Sequence, residues 1–292
     1  MAGMRVRIFW LASALSLGLN CLFAQTPHWI AEGKRALYAG RPAEAAANYQ
    51  AALDAINGSN IPPEKLVHLH VTLATAYLEA GNLRAAEGVL TLADKTRARL
   101  DGDQSRAEVL NGWSVLHMLQ GKLAQTETEL RQARGIMQQA PHSGDLLASV
   151  LHNLAAVEMR TGEYEAALCN EQEALLLWGK LLNSDHPHII RGWAGLGSLQ
   201  YLLNRPKEAH QSLERAIASA RATYDSSSPL VAELLDSDAL ILDRLKLKHE
   251  AKLARSEARQ IRGGKPAAEY VRATWNVKEA LAPDSAVYLR SR

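Results

Sequence analysis

Apolar positions along this chain recur at helical spacing in paired segments, each pair separated by one small turn residue. Leu151, Leu154, Ala155 and Glu158 follow one another at three, four and seven residues, the interval of a single helix face. Thr161-Gly162-Glu163 interrupts them, and Tyr164, Ala167, Leu168, Glu171, Ala174 and Leu175 resume the same spacing. Two amphipathic segments around a tight turn predict a helical hairpin. The pattern occurs six times. Its turn residues are Gly40, Gly81, Gly121, Gly162, Asn204 and Lys246, separated by 41, 40, 41, 42 and 42 residues. Five residues past each turn stand Ala45, Ala86, Thr126, Ala167, Ala209 and Ala251, and seven further on Ala52, Ala93, Ala133, Ala174, Ala216 and Ala258. Seven residues before each turn stand Gly33, Ala74, Ser114, Ala155, Gly197 and Ala239.

Small residues at these places let helix axes approach to the roughly 8–10 Å of packed helices. Self-similarity at such a period predicts a stacked array. The expected fold is all-α: a right-handed α-solenoid of about six helix-turn-helix repeats over residues 25–262, at 26–59, 67–100, 107–140, 148–181, 190–223 and 232–262. The sixth copy is worn. Lys246 replaces the turn glycine, and Asp238 and Arg255 stand where apolar residues are expected, as suits a terminal repeat with one face in water. Gly263-Gly264-Lys265-Pro266 then stops the last helix. Residues 263–292 form a non-repeating tail, in which Val271, Ala273, Trp275 and Val277 alternate with polar residues and read as a short extended piece.

The hairpins resemble the tetratricopeptide repeat. Ala-Tyr-Leu-Glu-Ala-Gly-Asn-Leu-Arg-Ala-Ala at 76–86 and Glu-Met-Arg-Thr-Gly-Glu-Tyr-Glu-Ala-Ala at 158–167 carry the likeness. The longer period is similar to the kinesin-light-chain type of repeat, as are Ser184-Asp185-His186-Pro187 in an inter-repeat loop and Leu151-His152-Asn153-Leu154-Ala155 in a first helix. Asp185 or Ser226 is expected to cap the helix that follows, with Pro187 and Pro229 in its first turn. The resemblance implies a non-catalytic scaffold that binds a protein or peptide along a concave groove lined by first helices. By register the candidate groove residues are Leu37, Leu78, Asn111, Val115, Met118, His152, Asn153, Met159, Ser198 and Tyr201. The inner asparagines that hold ligand backbone in kinesin light chains have one match here, Asn153; the equivalent positions hold Ala31, Thr72, Gly112, Gly195 and Ser237.

The first residues belong to a different class. Arg5 and Arg7 precede the apolar run Ile8–Leu19, and Leu22-Phe23-Ala24 offers a cleavage site before Gln25. This is the layout of a secretory signal peptide over residues 1–24, and it implies an exported chain, periplasmic or secreted. An uncleaved anchor, or a lipoprotein site at Cys21 behind the ill-suited Asn20, are the other readings. Without the segment the charge is balanced, since it holds two arginines and no acids in a chain of 33 Lys and Arg against 31 Asp and Glu. A neutral chain is a poor candidate for nucleic acid. Cys169 is then the sole cysteine, which excludes an internal disulfide, and its place in a second helix reads as core or near-core. Charge is nevertheless uneven. Residues 244–292 carry 12 Lys and Arg against 5 Asp and Glu, and residues 25–243 carry 19 against 26. The basic end permits contact with anionic lipid or an acidic partner, although such charges are more often the solvated face of a capping helix.

Motifs for chemistry are missing. His68 and His70 lie two apart on a helix and point to different sides, and His186 and His188 flank a proline, so no metal is expected. Gly195-Leu196-Gly197 is a helix-packing run, and neither a phosphate loop nor a nucleophile motif occurs, so no cofactor is expected. The function expected is an exported, non-catalytic adaptor. A membrane-tethered assembly factor is the first alternative, and an enzyme or small-ligand binder using the His152/Asn153 region the second.

Overall fold

The computed structural model describes residues 26–57, 60–100, 102–139, 144–224 and 228–263. The signal-like segment and the extended piece expected in the tail lie outside these residues. Twelve helices and no strand occur among the described residues. The chain divides into two units, Met1–Asp101 and Gly102–Arg292.

The first unit holds α1 (26–38), α2 (Pro42–Ile56), α3 (Pro63–Glu79) and α4 (Leu83–Arg97). Its core gathers Ala36, Ala45, Tyr49, Ala52, Leu69, Leu73 and Ala76. Gly33 is glycine for a steric reason: a Cβ there would come within 2.7 Å of the Tyr49 ring. Tyr49 is buried at 2% exposure, and that burial pushes its phenol up to about 12.

The second unit holds four hairpins: α5 (Asp103–Leu119) with α6 (Leu123–Gln139), α7 (Gly144–Thr161) with α8 (Tyr164–Leu181), α9 (Pro187–Leu202) with α10 (Pro206–Thr223), and α11 (Pro229–Arg244) with α12 (Lys248–Ile261). Each second helix packs on the first helix of the next hairpin. First helices also meet directly, α5 with α7, α7 with α9 and α9 with α11. Second helices do not approach one another as closely, so the first helices form the inner side of this unit.

All six turns share one backbone solution. Gly40, Gly81, Gly121 and Gly162 have φ between 70° and 89°, and Asn204 and Lys246 adopt 61° and 65°. The two amides that follow fold back onto the end of the first helix. In the second hairpin Gly81 N donates to Leu78 O at 3.0 Å and Asn82 N to Tyr77 O at 2.8 Å, and the same pair of bonds recurs at every turn through Lys246 N to Asp243 O and Leu247 N to Leu242 O. This is the Schellman closure, which satisfies carbonyls the helix leaves open. Glycine enters it freely, whereas a side chain meets its own carbonyl at positive φ at a cost of about 1–2 kcal/mol. Lys246→Gly is therefore expected to stabilise the last hairpin by about 1 kcal/mol, read as a raised midpoint in thermal unfolding.

The small residues lie where axes cross. The alanines at 45, 52, 86, 93, 133, 167, 174, 209, 216, 251 and 258 have 0% exposure, as has Thr126. A Cβ on Gly197 would stand 3.0 Å from Leu213 Cγ and 3.2 Å from the Ala209 carbonyl oxygen. Three expectations need correction. The cap of α9 is His186, whose side chain accepts from His188 N, and not Asp185; Ser228 caps α11 without a side-chain bond, while Ser226 lies outside the described residues. Pro187 and Pro229 do occupy first turns. Cys169 is exposed, because Ala167, Leu168, Asn170 and Glu171 take the inward positions around it. Asp238 of the worn sixth repeat is buried at 5% exposure and bonded to His210 Nδ1 at 2.6 Å on the preceding hairpin, so it is packed and not a solvated cap residue.

Candidate partner-binding face

The inner helices of the second unit carry eight of the ten candidate groove residues. Met118 and Met159 are buried at 7% and 6% exposure and Ser198 at 0%. Met118 packs with Leu130, Leu154 and Val157, and Met159 with Ala167 and Leu199. Ser198 donates to Ala194 O at 3.0 Å. Asn111, Val115, His152, Asn153 and Tyr201 are half-buried and reach the surface. In the first unit Leu78 is buried, and Leu37 is half-buried against the apolar core.

Two adjacent inner helices are joined through amides. Asn153 Nδ2 donates to Asn111 Oδ1 at 2.9 Å, from α7 to α5. The bond leaves the Asn111 NH2 and the Asn153 carbonyl outside it, and exchanging the two groups leaves the same kinds of atom. Near the turns, Arg160 Nη1 donates to Met118 O at 3.1 Å, and the Arg244 guanidinium lies 5.0 Å over the Tyr201 ring while its Nη2 donates to Asn204 Oδ1 at 2.8 Å. These arginines staple one hairpin to the one before it.

Behind the face lies a set of polar pairs that sequence reading missed. Four residues before and eight after successive turns, His117 Nδ1 meets Glu129 at 2.9 Å, Asn170 Nδ2 donates to Glu158 Oε2 at 2.7 Å, and Ser212 Oγ donates to Gln200 Oε1 at 2.7 Å. The signal was a fixed interval of twelve residues across three consecutive turns. Burial raises the Glu158 carboxyl, and the Asn170 amide only partly offsets it. A folded-state pKa above the unfolded one means that the stability contributed by the neutral acid is lost as pH rises through the raised value. Glu158→Gln keeps an acceptor for Asn170 and removes that loss. Its melting temperature should exceed that of the parent chain at neutral pH, and the gap should narrow as pH falls through the raised carboxyl range.

A second cluster surrounds Trp178, whose Nε1 donates to Asp145 Oδ1 at 3.0 Å. The rings of His152 and His188 lie 5.5 and 4.9 Å from it. His152 Nδ1 is 2.9 Å from both Glu171 oxygens, and a Cβ on Gly195 would reach that carboxylate at 3.2 Å. The neighbouring His188 imidazole holds the Asp145 carboxyl below its ordinary range. In the first unit His70 is buried, and burial pulls its imidazole down, which favours the neutral form. Among the described residues no three His, Cys, Asp or Glu side chains form a metal-binding group, and no helix is long and apolar enough to cross a membrane.

A sequence model of the tetratricopeptide repeat matches residues 146–222, the hairpins of α7 through α10. No curated protein matches the chain in sequence. Solved structures do share its fold. BtubC (BKLC) from P. vanneervenii is 17% identical over 88% of this chain and 96% of that one, with a TM-score of 0.59. A putative kinesin light chain of Podosopora anserina, with nearly identical TPR-like repeats, is 20% identical over 69% and 97%, at 0.54. A Rap protein complexed with competence and sporulation factor is 14% identical over 83% and 77%, at 0.59. The same turn closure in six hairpins, the buried alanines at one register and the sequence match to two of those hairpins agree: the hairpins have the tetratricopeptide-repeat fold, and residues 146–222 carry that family's sequence pattern.

Proposed function

We propose that this chain is an exported, non-catalytic scaffold that holds a partner protein or peptide on the inner face of its second unit. The carrying observation is the amide pair Asn111–Asn153, half-buried on adjacent inner helices, whose mutual bond leaves an NH2 and a carbonyl of the kind that can meet an extended backbone. Val115, one helical turn after Asn111, and Tyr201 on α9, the next inner helix, supply apolar surface, the combination that holds a peptide by its backbone and selects it by its side chains. The fold is one that binds polypeptides elsewhere, as the Rap complex with its factor illustrates. Export rests on the signal-like residues 1–24.

The test compares partners co-purified from the native cell with the parent chain and with Asn111→Ala/Asn153→Ala. Both residues are half-buried and outside the apolar clusters, so helical content should be unchanged. A polypeptide retained by the parent and lost by the variant supports the inner face; equal retention assigns binding to another surface. Intact mass of the recovered chain should show residues 1–24 removed, and their retention would favour a membrane-tethered assembly factor.

A further inference from the structure

The last hairpin ends in a face that departs from all preceding ones in its chemistry. Within the second unit, the residues of a second helix that meet the next hairpin can be read from contacts. A Cβ on Gly195 or Gly192 of α9 would meet Glu171 and Leu175 of α8, the Trp178 ring of α8 lies on His188 of α9, and His210 of α10 bonds Asp238 of α11. These sit six, nine, thirteen and sixteen residues beyond their turns. In α10 the four positions hold His210, Leu213, Ile217 and Ala220, and in α8 Leu168, Glu171, Leu175 and Trp178. In α12 the same four hold Lys252, Arg255, Arg259 and Arg262. The stacking register that receives a helix elsewhere is wholly cationic here.

Two of these cations fold back onto α11. Arg255 bonds the Asp243 carboxylate and reaches Ala239 O, and Arg262 Nη1 lies 2.9 Å from Asp236 Oδ2. Arg262 is nine-tenths buried, with Nε lacking any hydrogen-bond partner and Nη1 poorly aligned on its aspartate. A buried guanidinium atom without an acceptor is costly, and a carboxylate is its natural complement. Lys252 and Arg259 are exposed and form no ion pair among the described residues, with Lys248 beside them one helical turn before Lys252.

We propose that this end face docks an acidic helix of a partner protein, seated where the first helix of a seventh hairpin would lie. The register fixes the shape of the occupant as a helix, and the exposed Lys248, Lys252 and Arg259 fix its charge. Apolar surface on the face is confined to side-chain stems, so the contact is electrostatic and salt-sensitive.

The test uses the full chain and a synthetic helical peptide with glutamates at i, i+4, i+7 and i+11, followed by fluorescence anisotropy at low salt. The peptide should bind, its glutamine counterpart should not, and added salt should weaken the complex. Lys252→Glu/Arg259→Glu should reduce affinity at least about tenfold, and Lys252→Gln/Arg259→Gln by an intermediate factor, with circular dichroism unchanged. Asn111→Ala/Asn153→Ala should leave this binding intact, which separates the end face from the inner one. Equal binding by the parent and charge-reversed chains overturns the proposal, as does failure to distinguish glutamate from glutamine. Phosphatidylserine vesicles captured in preference to the peptide, and released by the same reversal, would make the face a lipid surface and overturn it too.

Discussion

Trp178→Ala is expected to lower stability by about 3–5 kcal/mol, the range for truncating a fully buried aromatic side chain, measured by denaturant unfolding followed by circular dichroism. Trp178 is the largest fully buried side chain, at 1% exposure. It belongs to α8, bonds Asp145 on α7 and packs on Ile189 and His188 of α9, so one ring joins three helices. In a stacked array stability is nearly a sum of hairpins and their interfaces, and this truncation damages one hairpin and one interface together. The cavity would also remove the surface against which His152 is held above Glu171. Trp178→Phe keeps most of the ring and frees Asp145, which is 60% exposed and can turn to water. Its loss should be about 1–2 kcal/mol. A full loss with phenylalanine would assign the stabilisation to the indole hydrogen bond instead of to packing.

Met118→Glu with Met159→Glu should unfold the second unit, with about 3–5 kcal/mol lost for each charge left buried without a partner. On the sequence alone this pair reads as a clean test of groove binding, because the methionines fall in an inner-facing row. The structure buries them: their neighbours are Leu130, Leu154, Val157, Ala167 and Leu199, apolar side chains that offer a carboxylate no hydrogen bond. Loss of helical signal on heating should therefore precede any statement about binding. Tyr201→Ala is the better probe of the apolar part of the face, since Tyr201 is half-buried at the margin of the core shared by the last two hairpins, with the Arg244 guanidinium over its ring. The double glutamate variant melting like its parent would place both methionines in open water.

The contrast marks where sequence reading succeeds. Turns and crossings were legible because they depend on local chemistry: a positive φ calls for glycine, and a close axis calls for alanine. Even the exceptions kept the rule, with Asn204 and Lys246 adopting the left-handed conformation that glycine takes in the other hairpins. How deep a side chain lies within an inner row is a different matter. Leu78, Met118 and Met159 share a register with Tyr201 and Asp243, yet the first three are buried, Tyr201 is half-buried and Asp243 is exposed. Depth depends on the side chains brought by two neighbouring hairpins, and periodicity within one hairpin holds no record of them. The link from Asn153 to Asn111 was hidden for the same reason, because it joins residues 42 apart. Asp238 and Arg255 looked like marks of wear and proved to be paired, one to the hairpin before and one to its own first helix.

The polar pairs behind the inner face bear on how an array of look-alike hairpins assembles correctly. Six segments with the same turn and the same alanines could fold with the wrong neighbour, since packing and backbone closure fit any of them. The pairs differ in kind: an imidazole with a carboxylate, a carboxylate with an amide, an amide with a hydroxyl. Were α7 to close on α6 in place of α8, Glu158 would face Glu129, two carboxylates in a buried setting. Were α5 to close on α10, the His117 ring would meet only the hydroxyl of Ser212. Three of the six hairpins thus carry a polar pair that their own second helix completes, and the mismatches named above would leave buried groups unsatisfied.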